Sequence, residues 1–172
     1  FERLFAERIG VKHSIGVSSG TDALLVAFMA LKESYGWKDG SEVLVTPFTF
    51  VASATSILRA GLTPVFVDLA PDAFMPGVAE YQAAMTKDTV AILAVHLFGE
   101  CQQEFDKIQV LAQANGLLIV EDCAQAYGTE YPFESGRKVG SRGHIGAFSF
   151  FPAKNLGCFG DGGAITTNDD EL

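Results

Sequence analysis

One lysine has neighbours that are unusual for a lysine. Lys154 follows the aromatic run at residues 148–151 (FSFF), and a glycine-rich segment at residues 157–163 comes after it. An amine in dry, positively biased surroundings loses basicity and forms Schiff bases readily. The neighbouring glycines let the backbone pass close to a bound cofactor. The alternative is a surface lysine in a glycine-rich turn, since most lysines are exposed.

A carboxylate stands at the end of another apolar run. Residues 117–121 read LLIVE, and Asp122 comes directly after them, at the predicted carboxyl end of a strand. Because side chains alternate along a strand, Glu121 and Asp122 are predicted to face opposite ways. A buried carboxylate needs a positive partner, and a protonated pyridine nitrogen is such a partner. A helix or turn cap is the alternative interpretation of Asp122.

A phosphate site is predicted where the first strand meets the first long helix, at residues 18–21 (SSGT). Exposed N–H groups and the positive end of the helix dipole favour an anion there. Gly20 allows close approach of the backbone, Thr21 adds a hydroxyl, and Ser149 reaches the same phosphate if the chain turns at Pro152. An ordinary N-cap is the alternative. The segment matches neither GxxxxGK[ST] nor GxGxxG, so neither a P-loop nor a dinucleotide fingerprint is supported.

The elements that position these residues alternate along the chain. Strands are predicted at residues 14–17, 42–46, 64–68, 90–96, 117–121, 146–151 and 163–167, and helices at 21–35, 51–60, 78–85 and 104–114. This alternation predicts βαβ units and a mostly parallel sheet. The strands are nearly continuous apolar runs, so helices are expected on both faces, in a three-layer α/β/α fold. Residues 127–144 are predicted to form an excursion or hairpin.

Ligands of open α/β sheets bind beyond the carboxyl ends of the strands. The polar segments predicted at that edge are residues 18–21, 46–50, His96, residues 121–125, and Ser149 with Lys154. The candidate chemistry and the predicted topology therefore indicate the same edge of the sheet.

Composition excludes several function classes. The chain has 172 residues, 48% hydrophobic and 19% charged, with a net charge of -9. This charge disfavours nucleic acid and anionic membranes as partners, and no apolar run approaches the roughly 20 residues of a membrane span. The three cysteines, Cys101, Cys123 and Cys158, form no CxxC pair. They predict reduced thiols in a cytoplasmic protein rather than a disulfide framework or a metal site.

The two ends suggest part of a longer protein. A helix with Phe1, Leu4, Phe5 and Ile9 on one face is expected at the start, ended by Gly10. Residues 168–172 (NDDEL) have the composition of a helix beginning, with a capping residue and an acidic first turn.

Six segments together resemble one protein family. They are SSGTDAL (18–24), TPFTFVASA (46–54), PVFVD (64–68), VHLFG (95–99), VEDCAQAYG (120–128) and HIGAFSFFPAKNLGCFGDGGA (144–164). Their order and spacing resemble the DegT-type (DegT/DnrJ/StrS) sugar aminotransferases, which are fold-type-I enzymes that depend on pyridoxal 5'-phosphate (PLP). The resemblance implies the large domain of the aspartate aminotransferase-like fold over residues 1–172, without the C-terminal small domain.

The resemblance also implies roles for single residues. Lys154 forms the Schiff base and moves the proton between substrate carbon and cofactor, and Asp122 keeps the pyridine nitrogen protonated so that the ring is an electron sink. The cofactor is implied to be held by Gly20, Thr21, Phe50, Asp122, Gln125, Ser149 and Lys154. Of these, Phe50 stacks on the ring, unless it is a plain core aromatic. His96 matches a family histidine, and a satisfied core histidine is an equal alternative.

The function that the resemblance implies is transfer of an amino group, from glutamate, to a nucleotide-linked keto-sugar by a homodimer. A dehydratase branch of the family carries histidine where the Schiff-base lysine stands, and Lys154 therefore favours transamination. A PLP- or PMP-dependent sugar dehydratase and a non-catalytic regulatory member of the same fold are the alternatives.

Overall fold

The computed structural model describes residues 1–172, which form one mixed sheet, a small hairpin and five α-helices. The helices are α1 (Glu2–Ile9), α2 (Gly20–Tyr35), α3 (Ala52–Arg59), α4 (Val78–Ala84) and α5 (Phe105–Ala114). The strands of the main sheet are β1 (His13–Val17), β2 (Glu42–Val45), β3 (Thr63–Phe66), β4 (Thr89–Val95), β5 (Leu118–Asp122), β8 (Ile145–Ser149) and β9 (Gly163–Thr167). The hairpin consists of β6 (Glu130–Tyr131) and β7 (Glu134–Lys138), within the predicted excursion at residues 127–144.

The sheet is mostly parallel, as predicted. Its strand order is β1-β9-β8-β5-β4-β2-β3, and only β9 runs antiparallel to its neighbours. Since β1 and β8 are both antiparallel to β9, they run in the same direction as the other strands. Their carboxyl ends consequently meet at one edge, which is the edge where the polar segments were predicted.

Helices cover both faces of the sheet, which confirms the three-layer architecture. Side chains of α2 and α3, such as Phe28 and Ile57, form one buried cluster with alternate residues of the strands. Side chains of α1, α4 and α5, such as Phe5 and Ile108, form a second cluster with the remaining strand residues. Each central strand thus contributes to both cores, which explains the nearly continuous apolar runs.

Several boundaries differ from prediction. β5 includes Asp122, which is its last residue rather than the residue after it, and β8 ends at Ser149 rather than at residue 151. In α1 the core-facing residues are Phe5, Ala6 and Ile9, whereas Leu4 is exposed. The predicted face for α1 was therefore partly wrong, since Phe1 and Leu4 are exposed and Ala6 is buried beside Phe5 and Ile9.

The helix end predicted at Gly10 and the helix start predicted at residues 168–172 can both be compared with the structure. Gly10 ends α1 with a φ of 86°, the left-handed conformation that glycine tolerates best. Residues 168–172 form no helix, yet Asp169 Oδ1 accepts hydrogen bonds from the N–H groups of Glu171 (2.8 Å) and Leu172 (3.2 Å). None of the helices combines the length and hydrophobicity that crossing a membrane requires.

Candidate active site

A cavity of about 1140 Å³ opens at the carboxyl edge of the sheet. All seven residues predicted to hold a cofactor line it: Gly20, Thr21, Phe50, Asp122, Gln125, Ser149 and Lys154. They come from the start of α2, from the ends of β5 and β8, and from the loops that follow β2, β5 and β8. The parallel arrangement of the strands therefore brings together residues that are up to 134 positions apart (154 minus 20).

The N-terminus of α2 forms one end of the cavity. Ser19 caps the helix, since its Oγ accepts a hydrogen bond from the N–H of Asp22 at 3.0 Å. The N–H groups of Gly20 and Thr21, in the first turn, have no carbonyl one turn earlier in the helix to bind. The N-cap interpretation is thus correct for Ser19, and it leaves two N–H groups of the first turn available to an anion.

Gly20 packs directly against Ser149. A Cβ added to Gly20 would lie 2.5 Å from Ser149 Cβ and 3.0 Å from its Oγ. Only a glycine lets the start of α2 and the end of β8 approach this closely. The hydroxyl of Ser149 is consequently held beside the first turn of α2, as the sequence predicted.

Asp22 does not line the cavity. Its Oδ2 accepts hydrogen bonds from the hydroxyls of Ser18 (2.5 Å) and Ser19 (3.0 Å), and these bonds lower the pKa of this carboxyl. An acidic residue at the helix start is therefore turned away from the predicted anion position, as expected.

Asp122 is buried at the cavity wall, with 5% of its surface exposed. Its Oδ2 accepts a hydrogen bond from Ser53 Oγ (2.8 Å) and its Oδ1 accepts one from the N–H of Ala124 (3.1 Å). Burial raises the pKa of Asp122, and these hydrogen bonds offset the effect only in part. No lysine or arginine forms a salt bridge with it. A cation in the cavity would supply the partner that this carboxylate lacks.

Glu121 faces away from the cavity, as the strand alternation predicted. Its two oxygens accept five hydrogen bonds: from His96 Nε2 (2.7 Å), from Tyr131 Oη (2.5 Å), and from the N–H groups of Gly140, Arg142 and Gly143 at 2.9, 3.0 and 2.6 Å. Burial by itself raises the pKa of Glu121, but His96 and the hydrogen bonds from Tyr131 and Gly140 outweigh it, and the pKa lies below its usual value. An ionised carboxylate is therefore held in the core without a salt bridge to a lysine or arginine.

His96 is a satisfied core histidine. Its Nδ1 accepts a hydrogen bond from the N–H of Gln102 (2.9 Å), so the proton lies on Nε2 and is donated to Glu121. The backbone N–H of His96 donates to the backbone carbonyl oxygen of Asp122 at 3.0 Å. His96, Glu121 and Cys123 lie close enough for a metal site. However, hydrogen bonds already occupy both ring nitrogens and the carboxylate, which accounts for this cluster without a metal.

Gln125 presents an amide group to the cavity. Its Oε1 accepts a hydrogen bond from the N–H of Phe98 at 3.0 Å, while its NH2 group has no partner within the chain. Phe98 itself has a φ of 56°, an unfavourable conformation for a bulky residue. With its Oε1 bound to the Phe98 N–H, Gln125 keeps its NH2 group as a free donor in the cavity lining.

Phe50 and Lys154 both reach the cavity from loops. Phe50 is 71% exposed, so the interpretation as a plain core aromatic was wrong. Lys154 follows β8, where its N–H donates to the carbonyl of Phe151 at 2.8 Å. The ammonium group of Lys154 forms no hydrogen bond or salt bridge within the chain. It is half-buried, unlike a lysine of an ordinary surface turn.

Sequence reasoning missed Ser53 in the cavity wall, whereas Thr49 lies in the segment 46–50 predicted at this edge. Ser53, on α3, is 1% exposed and donates to Asp122, and Thr49 lies 2.9 Å from Ser53 between their hydroxyl oxygens. A serine on the buried face of a short helix was the available signal, since buried hydroxyls need partners.

Known proteins resemble the whole chain. The DegT/DnrJ/EryC1/StrS aminotransferase family matches over residues 1–172. The UDP-N-acetyl-3-dehydro-alpha-D-glucosamine 3-aminotransferase of Acidithiobacillus ferrooxidans is 48% identical over 163 residues, which are 95% of this chain and 42% of that protein. A pleiotropic regulatory protein of Geobacillus stearothermophilus is 47% identical over 161 residues, which are 94% of this chain and 41% of that protein.

A solved structure shares the fold. DesV of Streptomyces venezuelae, determined in complex with a ketimine intermediate, superposes with a TM-score of 0.89 at 42% identity, over 99% of this chain and 44% of that one. The chain therefore spans less than half the length of each of these three proteins, and the similarity covers nearly all of the chain.

Proposed function

The chain belongs to the DegT/DnrJ/EryC1/StrS aminotransferase family, and from this membership and the geometry of the cavity we propose that it is the PLP-binding part of a sugar aminotransferase. The enzyme moves an amino group, from glutamate, onto a keto-sugar that is linked to a nucleotide diphosphate. One observation carries the proposal: Lys154, Asp122 and the start of α2 line the same cavity.

The residues present fit PLP group by group. The first turn of α2 and the adjacent Ser149 offer N–H and hydroxyl donors to a phosphate, in a recess that a Cβ on Gly20 would fill. Asp122 is a buried carboxylate without a cation, which suits a protonated pyridine nitrogen. The free NH2 group of Gln125 is a donor for the ring oxygen. We therefore assign phosphate binding to Gly20, Thr21 and Ser149.

PLP, when bound, supplies an electron sink that stabilises negative charge on the substrate carbon. Lys154 would provide the amine that attaches the cofactor, and its free amine would carry the proton that leaves the substrate carbon. Asp122 keeps the pyridine nitrogen protonated because an ionised partner favours the charged form. Phe50 forms an apolar platform for the ring, and it excludes water from that face.

A regulatory function without catalysis is the second candidate, because one of the similar proteins is named a pleiotropic regulatory protein. Such a module has no need of an attachment lysine or of an unpaired buried carboxylate. Lys154 and Asp122 are both present and both reach the cavity. The lysine also favours a transaminase over the dehydratase branch, in which the resemblance places a histidine.

Further parts of the proposal concern the whole protein. We propose that residues 1–172 form the large, cofactor-binding domain, and that two subunits associate as a homodimer. The net charge of -9 favours small molecules over nucleic acid as partners. Free thiols at Cys101, Cys123 and Cys158 support a cytoplasmic location.

The experiment combines attachment and turnover. The full-length protein is incubated with PLP, reduced with borohydride, digested, and mapped by mass spectrometry, alongside Lys154→Ala and the control Lys87→Ala, which removes an exposed lysine. We expect the modified peptide to contain Lys154 and to be lost only in Lys154→Ala. Release of 2-oxoglutarate from glutamate in the presence of a nucleotide-linked keto-sugar then establishes transamination. Attachment at Lys154 without that release would reject transamination of the keto-sugar tested, and no attachment at Lys154 would reject the cofactor site.

A further inference from the structure

Three side chains form a short hydrogen-bonded chain beneath the cavity. Thr49 Oγ1 and Ser53 Oγ lie 2.9 Å apart, and Ser53 Oγ donates to Asp122 Oδ2 at 2.8 Å. Ser53 is 1% exposed, so water does not replace either contact. Thr49 lies in the loop after β2, Ser53 on α3 and Asp122 at the end of β5. The chain therefore links two elements to the carboxylate.

The direction of these hydrogen bonds follows from counting protons. A serine hydroxyl has one proton, and an ionised carboxylate only accepts. Ser53 must therefore give its proton to Asp122, and Thr49 must give its proton to Ser53. A chain of hydroxyls that all donate toward one oxygen is strengthened by mutual polarisation.

We propose that Ser53 is a positioning residue that holds Asp122 ionised and oriented toward the pyridine nitrogen of the cofactor, with Thr49 supporting it. This inference rests on the proposed function, because it needs a pyridinium partner for Asp122. Ser53 acts through the carboxylate, and no role in proton transfer to the substrate is assigned to it.

The geometry explains why this support is needed. With Oδ1 held by the N–H of Ala124 and Oδ2 held by Ser53, the carboxyl group cannot rotate, and its remaining lone pairs are fixed. Burial favours the neutral form of Asp122, and a donor to the charged form opposes this. Removal of the Ser53 hydroxyl therefore raises the pKa of Asp122 further, and the shared proton shifts from the pyridine nitrogen toward the more basic carboxylate.

Other titratable groups surround Asp122. They are His96 at the end of β4, Lys154 beyond the end of β8, and Glu121 and Cys123 on either side in the chain. None of them contacts the Ser53 hydroxyl, whose partners are Thr49 and Asp122. A change caused by Ser53→Ala is therefore transmitted through Asp122.

The test compares Ser53→Ala and Thr49→Ala with the control Thr55→Ala in the full-length protein. Thr55 lies on the same helix, and its hydroxyl binds the carbonyl of Val51 instead of the carboxylate. Two readouts are independent of turnover: the dissociation constant of PLP, and the pH midpoint of pyridine-nitrogen protonation, measured by NMR with 15N-labelled PLP. Circular dichroism establishes that each variant is folded.

We expect Ser53→Ala to weaken PLP binding about tenfold, the equivalent of one lost hydrogen bond to a charged group. The midpoint of pyridine protonation should fall to lower pH, Thr49→Ala should give a smaller change in the same direction, and Thr55→Ala should match the unmodified protein. Folded Ser53→Ala protein with an unchanged dissociation constant and midpoint would overturn the inference.

A third readout separates this inference from the proposed function. The carboxyl 13C signal of Asp122 is titrated in the cofactor-free protein, with and without Ser53→Ala. If the unmodified protein binds no PLP, the proposed function fails. In that case a higher Asp122 pKa in Ser53→Ala still supports the control of Asp122 by Ser53, and an unchanged pKa rejects it.

Discussion

Glu121 and Asp122 are consecutive residues of β5 whose carboxylates lie on opposite faces of the sheet and differ in their electrostatic state. Glu121 accepts five hydrogen bonds, and its pKa lies below the usual value. Asp122 accepts two, and its pKa lies above the usual value. The hydrogen bonds within the chain thus satisfy the carboxylate of Glu121, whereas the carboxylate of Asp122 can still bind a positive ligand.

The first prediction concerns Glu121. Glu121→Gln puts an NH2 group where one oxygen now accepts hydrogen bonds, so buried donors around it lose their acceptor. We expect a loss of about 3 kcal/mol in the free energy of unfolding, measured by urea denaturation. Glu100→Gln, on an exposed side chain, is the control and should change it little. Equal stabilities of the two variants would show that the Glu121 network contributes nothing.

The pH dependence of Glu121 has a definite sign. Its folded pKa is lowered, so its ionised form stabilises the protein above the unfolded pKa of about 4.5, and this stability is lost as pH falls through the folded pKa. The stability difference between the unmodified protein and Glu121→Gln should therefore shrink in acid. A difference that stays constant down to pH 3 would contradict this account.

The second prediction is that Asp122→Asn stabilises the cofactor-free protein and weakens PLP binding. The folded pKa of Asp122 is raised, so ionisation costs stability as pH rises from about 3.8 through the folded value. Removal of that charge should raise Tm at pH 7, by about 2–4 °C for each kcal/mol gained in the free energy of unfolding. The Tm of Asp122→Asn should converge with the Tm of the unmodified protein near pH 4. Differential scanning fluorimetry checks this, and a lower Tm for Asp122→Asn would be the contrary result.

The third prediction tests the approach of α2 to β8. Gly20→Ala places a Cβ 2.5 Å from Ser149 Cβ, so the helix start and the strand end must separate. We expect a cost of about 1–3 kcal/mol in stability and at least tenfold weaker PLP binding. Gly16→Ala is the matched control, because its added Cβ would meet its nearest neighbour, Glu2, at an ordinary 3.6 Å. Isothermal titration calorimetry measures the PLP affinity of both variants, and urea denaturation measures their stability. Identical affinities would argue against a phosphate site at the start of α2.

The fourth prediction concerns the donor side of Gln125. Gln125→Glu keeps an oxygen for the N–H of Phe98 but removes the NH2 group that faces the cavity. A carboxylate there repels the ring oxygen of PLP, and binding should weaken about tenfold or more. Gln109→Glu, at a site that contacts Arg142 outside this cavity, serves as the control. Affinity is followed by the visible absorption of bound PLP, and an affinity unaffected by Gln125→Glu would remove Gln125 from the site.

Much of this architecture could be predicted from the sequence, because local patterns determine it. Apolar runs that alternate with helical periodicity gave the strands and helices to within a few residues, and continuous apolar strands indicated helices on both faces. The topological rule for open sheets then placed Lys154 and Asp122 at one edge. The alternation of side chains along β5 also predicted that Glu121 and Asp122 face opposite sides of the sheet, without any knowledge of their partners.

Tertiary structure alone decided what each side chain contacts. The donors to Glu121 come from the residue after β4, from β6 and from the loop before β8, and the side-chain donor to Asp122 comes from α3. No local pattern relates these segments. The role of His96 was open for the same reason, and its two hydrogen bonds decided it in favour of a core position. Sequence periodicity reports which face of an element a residue occupies. The distances between elements depend on how whole layers pack, and a carboxylate's pKa depends on those distances.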